Sequence, residues 1–179
     1  MGRSDAEAIA ASRTDPRAFV EVFDRHFHTI HGYLRRRVGS ALADDLAAST
    51  FTEAFAARGR YDGMRPDALP WLYGIAANLL RRHHRTEERQ LRAFARTGVD
   101  VAVGPDAEPD PRGAEIAAAL AALSPDDREA LLLFAWTELS YAEIATALGV
   151  PIGTVRSRLN RARRTVRDLL EQEAEVVDG

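Results

Sequence analysis

Residues 140–163 read SYAEIATALGVPIGTVRSRLNRAR, and this stretch decides the fold of the C-terminal half. It predicts two short helices joined by a tight turn. Ser140 suits the N-cap of the first, with Glu143 three residues on to close a capping box. Ile144, Ala145 and Leu148 form its inner stripe. Gly149 gives the turn its backbone freedom. Pro151 falls at the start of the second helix, where a missing N–H costs little. Val155, Leu159, Ala162, Val166 and Leu169 recur at spacings of four and three and make one apolar face. Thr154, Arg156, Ser157, Arg158, Asn160, Arg161 and Arg164 lie off that stripe. Six arginines between 152 and 167, with no acid among them, suit a helix laid in a DNA major groove. An ordinary solvated basic helix is the bland alternative. The coincidence of turn, capping box and unopposed charge argues against it.

Working outward, the 179-residue chain is long enough for one large domain or two small ones. With 46% of residues apolar, a sizeable core is available to either arrangement. No apolar run approaches the ~18 residues that a membrane helix needs. The start, MGRSDAEAIAAS, lacks the basic opening and apolar centre of a signal peptide. There is no cysteine, so disulfides and thiolate metal sites are excluded. The chain reads as cytoplasmic.

The net charge is only −3, but the charge is unevenly placed. Residues 71–96 carry six arginines against Glu87 and Glu88, and 152–167 carry six against none. Acids gather at 100–129 and in the tail. Two basic patches parted by an acidic stretch predict two nucleic-acid contacts rather than a general grip on polyanions.

Residues 97–113, TGVDVAVGPDAEPDPRG, hold three prolines, three glycines and four acids, and read as a linker. A flexible chain of this length spans roughly 20–25 Å on average and about 55 Å when stretched. The stretches on either side are alanine-rich and helical in pattern, with no period-two alternation long enough for a sheet. Three main helices are predicted before the linker. The first runs from Asp15–Pro16 to Arg37, with Phe19, Val22, Phe23, Phe27, Ile30 and Leu34 inward. The second runs from Ala43 to Arg58, with Leu46, Phe51 and Phe55 buried. After the loop GRYDGMRPDA, the third runs from Pro70 to Ala95. Its first half is apolar through Trp71, Leu72, Ile75, Ala76, Leu79 and Leu80, and its second half is basic. Beyond the linker, a helix near 113–122 and another from Ser124–Pro125 to Trp136 complete the core of the helix-turn-helix.

With both halves in view, the chain resembles the extracytoplasmic-function (ECF) sigma factors of bacterial RNA polymerase. The strongest parts of the likeness are GTVRSRLNRAR and LPWLYGIAANLLRRHHR. It covers about residues 15–96 and 113–170. The resemblance implies an all-α chain of two small helical domains: a sigma-2-like bundle over 1–96 and a sigma-4-like helix-turn-helix domain over 113–179, joined by a flexible linker at 97–112. It implies binding to core polymerase through the clamp helices and flap, promoter reading at two places, and help in melting. Asp44, Asp45, Leu46, Thr50 and Phe51 fall where the family docks on the clamp. Ala48 and Ser49 stand where the family pattern has glutamine and glutamate. The loop at 59–68, with Arg60, Tyr61 and Asp62, falls where the family holds a flipped −10 base. Trp71, Asn78, Arg81 and Arg82 fall on the −10-reading helix. Thr154, Arg156, Ser157, Arg158, Asn160 and Arg161 fall on the −35-reading helix. An anti-sigma factor is a further partner that the family often has.

The residues suit these roles physically. An aromatic beside a basic helix offers an unpaired base both stacking and phosphate neutralisation. Asn78 carries donors and an acceptor on one plane. Trp71 has a core reading of equal standing, and any single arginine is more often a phosphate contact than a base reader. Two rival functions stand beside this one. A stand-alone helix-turn-helix regulator would use its N-terminal half to sense or dimerise, but the basic second half of the third helix has no use there. An enzyme would need a constellation that is absent: there is no Walker loop, G-x-S-x-G or dinucleotide fingerprint. His26, His28, His31, His83 and His84 lack a carboxylate at ligand-like spacing and read as surface residues. Neither metal nor cofactor is expected.

Overall fold

The computed structural model describes the backbone of residues 2–97 and 111–177, and the side chains of 2–85 and 115–171. The described residues form helices with no strand among them, and the chain divides into two compact units, residues 1–86 with 146–149 and residues 87–145 with 150–179.

The first unit opens with a helix that the sequence reading did not include, α1 (Asp5–Ala11). Its start is a capping box. Ser4 Oγ accepts from the Glu7 N–H at 3.3 Å, and the Glu7 carboxylate accepts from the Ser4 N–H at 2.7 Å. A 3-10 turn, Pro16–Phe19, begins at Asp15, whose side chain takes the Arg17 N–H. It leads into α2 (Val20–Val38). Gly39, at φ +78°, ends α2 in a conformation that favours glycine and starts α3 (Ser40–Ala57). A second 3-10 turn, Arg58–Arg60, and the loop 61–68 then lead to α4 (Leu69–Thr97).

Helices α2 and α3 pack side by side, and Tyr33 meets Tyr73 edge-on to bring α4 against α2. Val22, Ile30, Tyr33 and Leu34 are fully buried beside Ala43, Ala47 and Ala54 of α3 and Leu72, Ala76 and Leu80 of α4. Each of the larger apolar side chains stabilises the unit by ~1.5–3 kcal/mol. The small residues on α3 let the helices approach closely. Several expected core positions are less buried than their spacing suggests: Phe23 is 38% exposed, and Phe27, Phe55, Ile75 and Leu79 are half-buried. Phe23 and Phe27 pack against each other and against Phe51, at 4.9 Å between the Phe23 and Phe51 rings. The edge of the aromatic stripe of α2 thus remains at the surface.

The second unit holds α5 (Pro111–Ala122), α6 (Pro125–Trp136), most of α7 (Tyr141–Leu148) and α8 (Ile152–Val177). Ser124 caps α6 by accepting from the Asp127 N–H at 3.2 Å, with Pro125 at the first helical position. Arg128 turns back to cover the end of α5, donating to the carbonyls of Leu120, Ala121 and Leu123 at 2.7–3.2 Å. Helices α5 and α6 both pack on α8. Leu132, Leu133, Val155, Leu159 and Ala162 are buried there, as is Ile144 of α7. The second helix of the helix-turn-helix is not short, since α8 runs for 26 residues. Thr97 closes α4 and Pro111 opens α5, while the remainder of the expected linker, 98–110, lies outside the described residues.

Candidate nucleic-acid interface

The loop 61–68 is held by its own side chains. The Tyr61 hydroxyl points to the carbonyls of Arg65 and Asp67 at 2.8 and 2.9 Å. Asp62 Oδ1 accepts from the Met64 N–H at 3.1 Å, and its other oxygen from Arg65 Nε at 3.2 Å. Asp67 Oδ1 accepts from the Leu69 N–H at 2.8 Å and so caps α4. Burial pushes the Tyr61 hydroxyl up to about 12, with Asp5, Asp67 and Asp62 adding to the shift, so it stays a donor at any working pH. Its ring lies 5.0 Å from Trp71. Trp71 is half-buried on this account, between a core residue and an open platform. The loop's tip faces outward, with Met64 89% exposed.

On α4, Asn78 is exposed and its amide oxygen accepts from Arg81. Arg82 is paired with Glu53 of α3 at 2.8 Å. Spacings of three and four along the helix put these three residues on adjoining positions of its surface. Arg60 is exposed at the end of its turn.

Behind the loop lies a buried carboxylate that the sequence reading missed. Asp5 Oδ2 accepts from the Ala68 N–H at 2.8 Å and lies 2.6 Å from His26 Nε2, while Oδ1 takes Arg25. The Asp5 N–H donates in turn to the Pro66 carbonyl at 3.1 Å. Burial alone would raise the Asp5 pKa. The hydrogen bonds from His26 and Ala68, with the charges of His26 and Arg25, outweigh that and hold it at about 2. His26 is therefore a buried residue, not the surface histidine that its composition context suggested. Val22, His26 and Ile30 stand four apart on the inner face of α2, which was the available signal. Asp5, His26 and Asp67 bring one ligand atom each within 4.8 Å of one another. The oxygens of Asp5 are already engaged by Arg25, His26 and Ala68.

In the second unit the capping box forms as expected: Glu143 accepts from the Ser140 N–H at 2.7 Å, and Ser140 Oγ from the Glu143 N–H at 3.3 Å. Gly149 sits at φ +64°. On α8 the six expected readers separate into two groups. Arg156, Ser157 and Asn160 are exposed, with Arg164 continuing the same face at spacings of four. No ion pair engages Arg156 or Arg164 among the described residues. Arg158 and Arg161 instead turn to the start of α6. Arg158 meets Asp126 at 2.5 Å with only 14% of its side chain exposed. Arg161 grips both oxygens of Asp127 at 3.1 and 2.8 Å. Burial would raise the Asp127 pKa, but its bonds to Arg161 and Ser124 and the nearby arginines bring it below the ordinary value. Thr154 is half-buried in the first turn, and its carbonyl accepts from Ser157 Oγ at 2.9 Å.

The five positions aligned with polymerase docking also divide. Asp44 and Asp45 are exposed on α3, and Asp44 meets His31 at 2.8 Å. Leu46, Thr50 and Phe51 are buried, with Thr50 Oγ1 donating to the Leu46 carbonyl at 2.7 Å.

Residues 22–90 match the family described as Sigma-70 region 2, and residues 113–166 match Sigma-70, region 4. The chain is 37% identical over 165 residues to the RNA polymerase sigma factor CarQ of Myxococcus xanthus, an alignment covering 89% of this chain and 93% of that protein. It is 34% identical over 180 residues to the ECF RNA polymerase sigma factor SigC of Mycobacterium tuberculosis, covering 97% and 92%. The structure of CnrH in complex with the cytosolic domain of CnrY superposes with a TM-score of 0.66 at 26% identity, over 94% of this chain and 97% of that one. The sigma factor RpoE of Bartonella quintana, solved with the anti-sigma factor NepR, superposes at 0.62 with 26% identity, over 86% and 96%. The chain belongs to the extracytoplasmic-function family of RNA polymerase sigma factors. It is a transcription initiation factor that acts with core RNA polymerase on promoter DNA. The stand-alone regulator is not favoured. No described helix is long and apolar enough to cross a membrane.

Proposed function

We propose that the two units read the promoter at two places, with the roles divided by residue. The loop 59–68, through Arg60, Tyr61 and Asp62, receives an unpaired −10 base beside Trp71. Asn78, Arg81 and Arg82 contact the strand along α4. Arg156, Ser157 and Asn160 meet the −35 duplex in the major groove, while Arg158 and Arg161 orient α8 on α6 and Thr154 supports its first turn. Asp44 and Asp45 face the polymerase clamp helices, with Leu46, Thr50 and Phe51 holding α3 in place behind them, and the second unit docks on the flap. The domains are 1–96 and 113–179, joined through 97–112. The chain works in the cytoplasm and catalyses nothing itself. An anti-sigma partner belongs to this reading, supported by the two solved neighbours having been captured with partners of their own.

The observation that carries the reading is the junction of loop and α4. A ring pair, Tyr61 and Trp71 at 5.0 Å, adjoins an outward loop and leads onto a helix bearing Asn78 and two arginines. Stacking of a base on such a surface is worth ~1–3 kcal/mol, enough to offset much of the cost of unpairing one step. The test is reconstituted transcription with core polymerase on a linear promoter, with permanganate mapping of unpaired thymines. Asn78→Ala or a disrupted 59–68 loop is expected to leave closed complexes intact and impair opening, and a premelted −10 bubble should restore much of the lost activity. Opening at the parent's level would remove the loop from this role.

A further inference from the structure

Three elements of the first unit meet around Asp5: α1, which carries it, α2 with Arg25 and His26, and the end of the loop with Pro66 and Ala68. Asp5 Oδ2 takes the Ala68 N–H at 2.8 Å, and the Asp5 N–H gives itself to the Pro66 carbonyl at 3.1 Å. The carboxylate and its own backbone thus grip the loop on both sides of Asp67. Ala68 is fully buried, and Asp5 Oδ2 is the acceptor its amide has. The contacts inside the loop set its shape: Tyr61 to Arg65 and Asp67, and Asp62 to Met64 and Arg65. Tyr61 against Trp71 and Asp67 on the Leu69 N–H tie that shape to α4. Asp5 ties it to α1 and α2, and it also places a negative charge at the N-terminus of α4, where the helix dipole favours one. His26 and Arg25 fix Asp5 in turn from α2, so the loop inherits the rigidity of the buried helix pair. The segment matched to Sigma-70 region 2 begins at residue 22, so α1 and Asp5 lie outside it.

We propose that Asp5 is a positioning residue for promoter opening, and that α1 belongs to the −10 apparatus because it fixes the 61–68 loop and the start of α4 in the place where an unpaired base is received. This rests on the loop having the role proposed above. A group held this way acts on the geometry of capture. A shift of about 1 Å in a binding loop is enough to lose a specific contact while leaving non-specific ones intact. Base selection should therefore suffer more than DNA binding.

The test compares full-length parent, Asp5→Ala and Asp5→Asn, each assembled with core polymerase, on premelted templates that carry each of the four bases in turn at every unpaired −10 position. The readout is the ratio of activities among the four bases, which a general loss of folded protein does not change. The parent should prefer one base at one position by on the order of tenfold. In Asp5→Ala that ratio should fall to about twofold or less, with core polymerase affinity unchanged. Asp5→Asn keeps an acceptor for the Ala68 N–H but loses the charge that holds Arg25, and it should give an intermediate ratio. It also serves if Asp5→Ala does not fold. Exchange of the Ala68 amide should accelerate in the same order, parent, Asn, Ala. If the aspartate variants keep the parent's base ratio, whatever their total activity, Asp5 does not position the loop and the proposal falls while the loop's own role stands. If the parent shows no preference at any unpaired position, the loop reading itself falls, and the proposal with it.

Discussion

The two helices proposed to face DNA are anchored in opposite ways. Helix α4 and its loop are tied to the first unit through Asp5, a carboxylate only 4% exposed that takes no part in the outward surface. Helix α8 is tied to α6 through Arg158 and Arg161, which belong to the very charge that the sequence offers to DNA; in each pair one partner is half exposed, Asp126 or Arg161, and the other, Arg158 or Asp127, is largely buried. A buried anchor is costly to break and indifferent to salt. An anchor at the surface can trade partners, because a phosphate is as good a match for a guanidinium as a carboxylate is. Under the proposed roles, the first arrangement suits a unit that holds a single unpaired base in a fixed place, the second one that meets an already regular duplex.

The largest expected effect of breaking this contrast falls on Asp5. Asp5→Ala leaves the Ala68 N–H and His26 without their buried partner, and should cost the first unit about 3 kcal/mol in denaturant unfolding. Acid should reproduce part of this without mutation. The carboxyl titrates at about 2 in the fold against an ordinary value of 3.8. A depressed pKa stabilises the fold fully above the ordinary value, so about 2 kcal/mol present at neutral pH should be lost as pH falls from about 4 to 2. Asp5→Asn should abolish that portion of the acid dependence. Next comes Arg156→Ala on α8, which should cost about 1–3 kcal/mol at one −35 position if it reads a base, measured by competition between promoter variants. The smallest effect sharpens the comparison most. Asp127→Ala frees the Arg161 guanidinium, so the salt dependence of −35 binding should steepen by about one counterion as sequence preference weakens. Arg161→Ala should weaken preference without steepening it. Equal salt slopes in these two variants would mean that Arg161 never exchanges carboxylate for phosphate.

The helix-turn-helix was legible because its signals are local. Ser140 and Glu143 are three apart, Gly149 alone suits φ +64°, and Val155, Leu159 and Ala162 repeat within two turns. The same code stood at Ser4–Glu7 and announced α1, but seven residues have no helical stability of their own, and the segment gains it from packing Ala8 and Ile9 into the unit. Asp5 and His26 lie 21 residues apart, and no periodicity links them. The division among the α8 arginines was hidden for a related reason. Periodicity separates the buried stripe from the remainder, but it does not say that the flank carrying Arg158 and Arg161 faces two aspartates 32 and 34 residues earlier. On α2 the error ran the other way: Phe23 and Phe27 share the spacing of core residues, yet they stand at the edge of the buried stripe.

The placement of Asp5 bears on how this family can be recombined. A hybrid that exchanges only the span matched to Sigma-70 region 2, residues 22–90, would transplant the loop and α4 while leaving behind the carboxylate bonded to the Ala68 N–H. The graft would receive whatever stands before the recipient's second helix, and its loop would sit to that protein's gauge. If Asp5 seats the loop as proposed, residues 4–12 belong with the specificity, and a hybrid cut ahead of Ser4 should inherit the donor's promoter choice more faithfully than one cut at Val22.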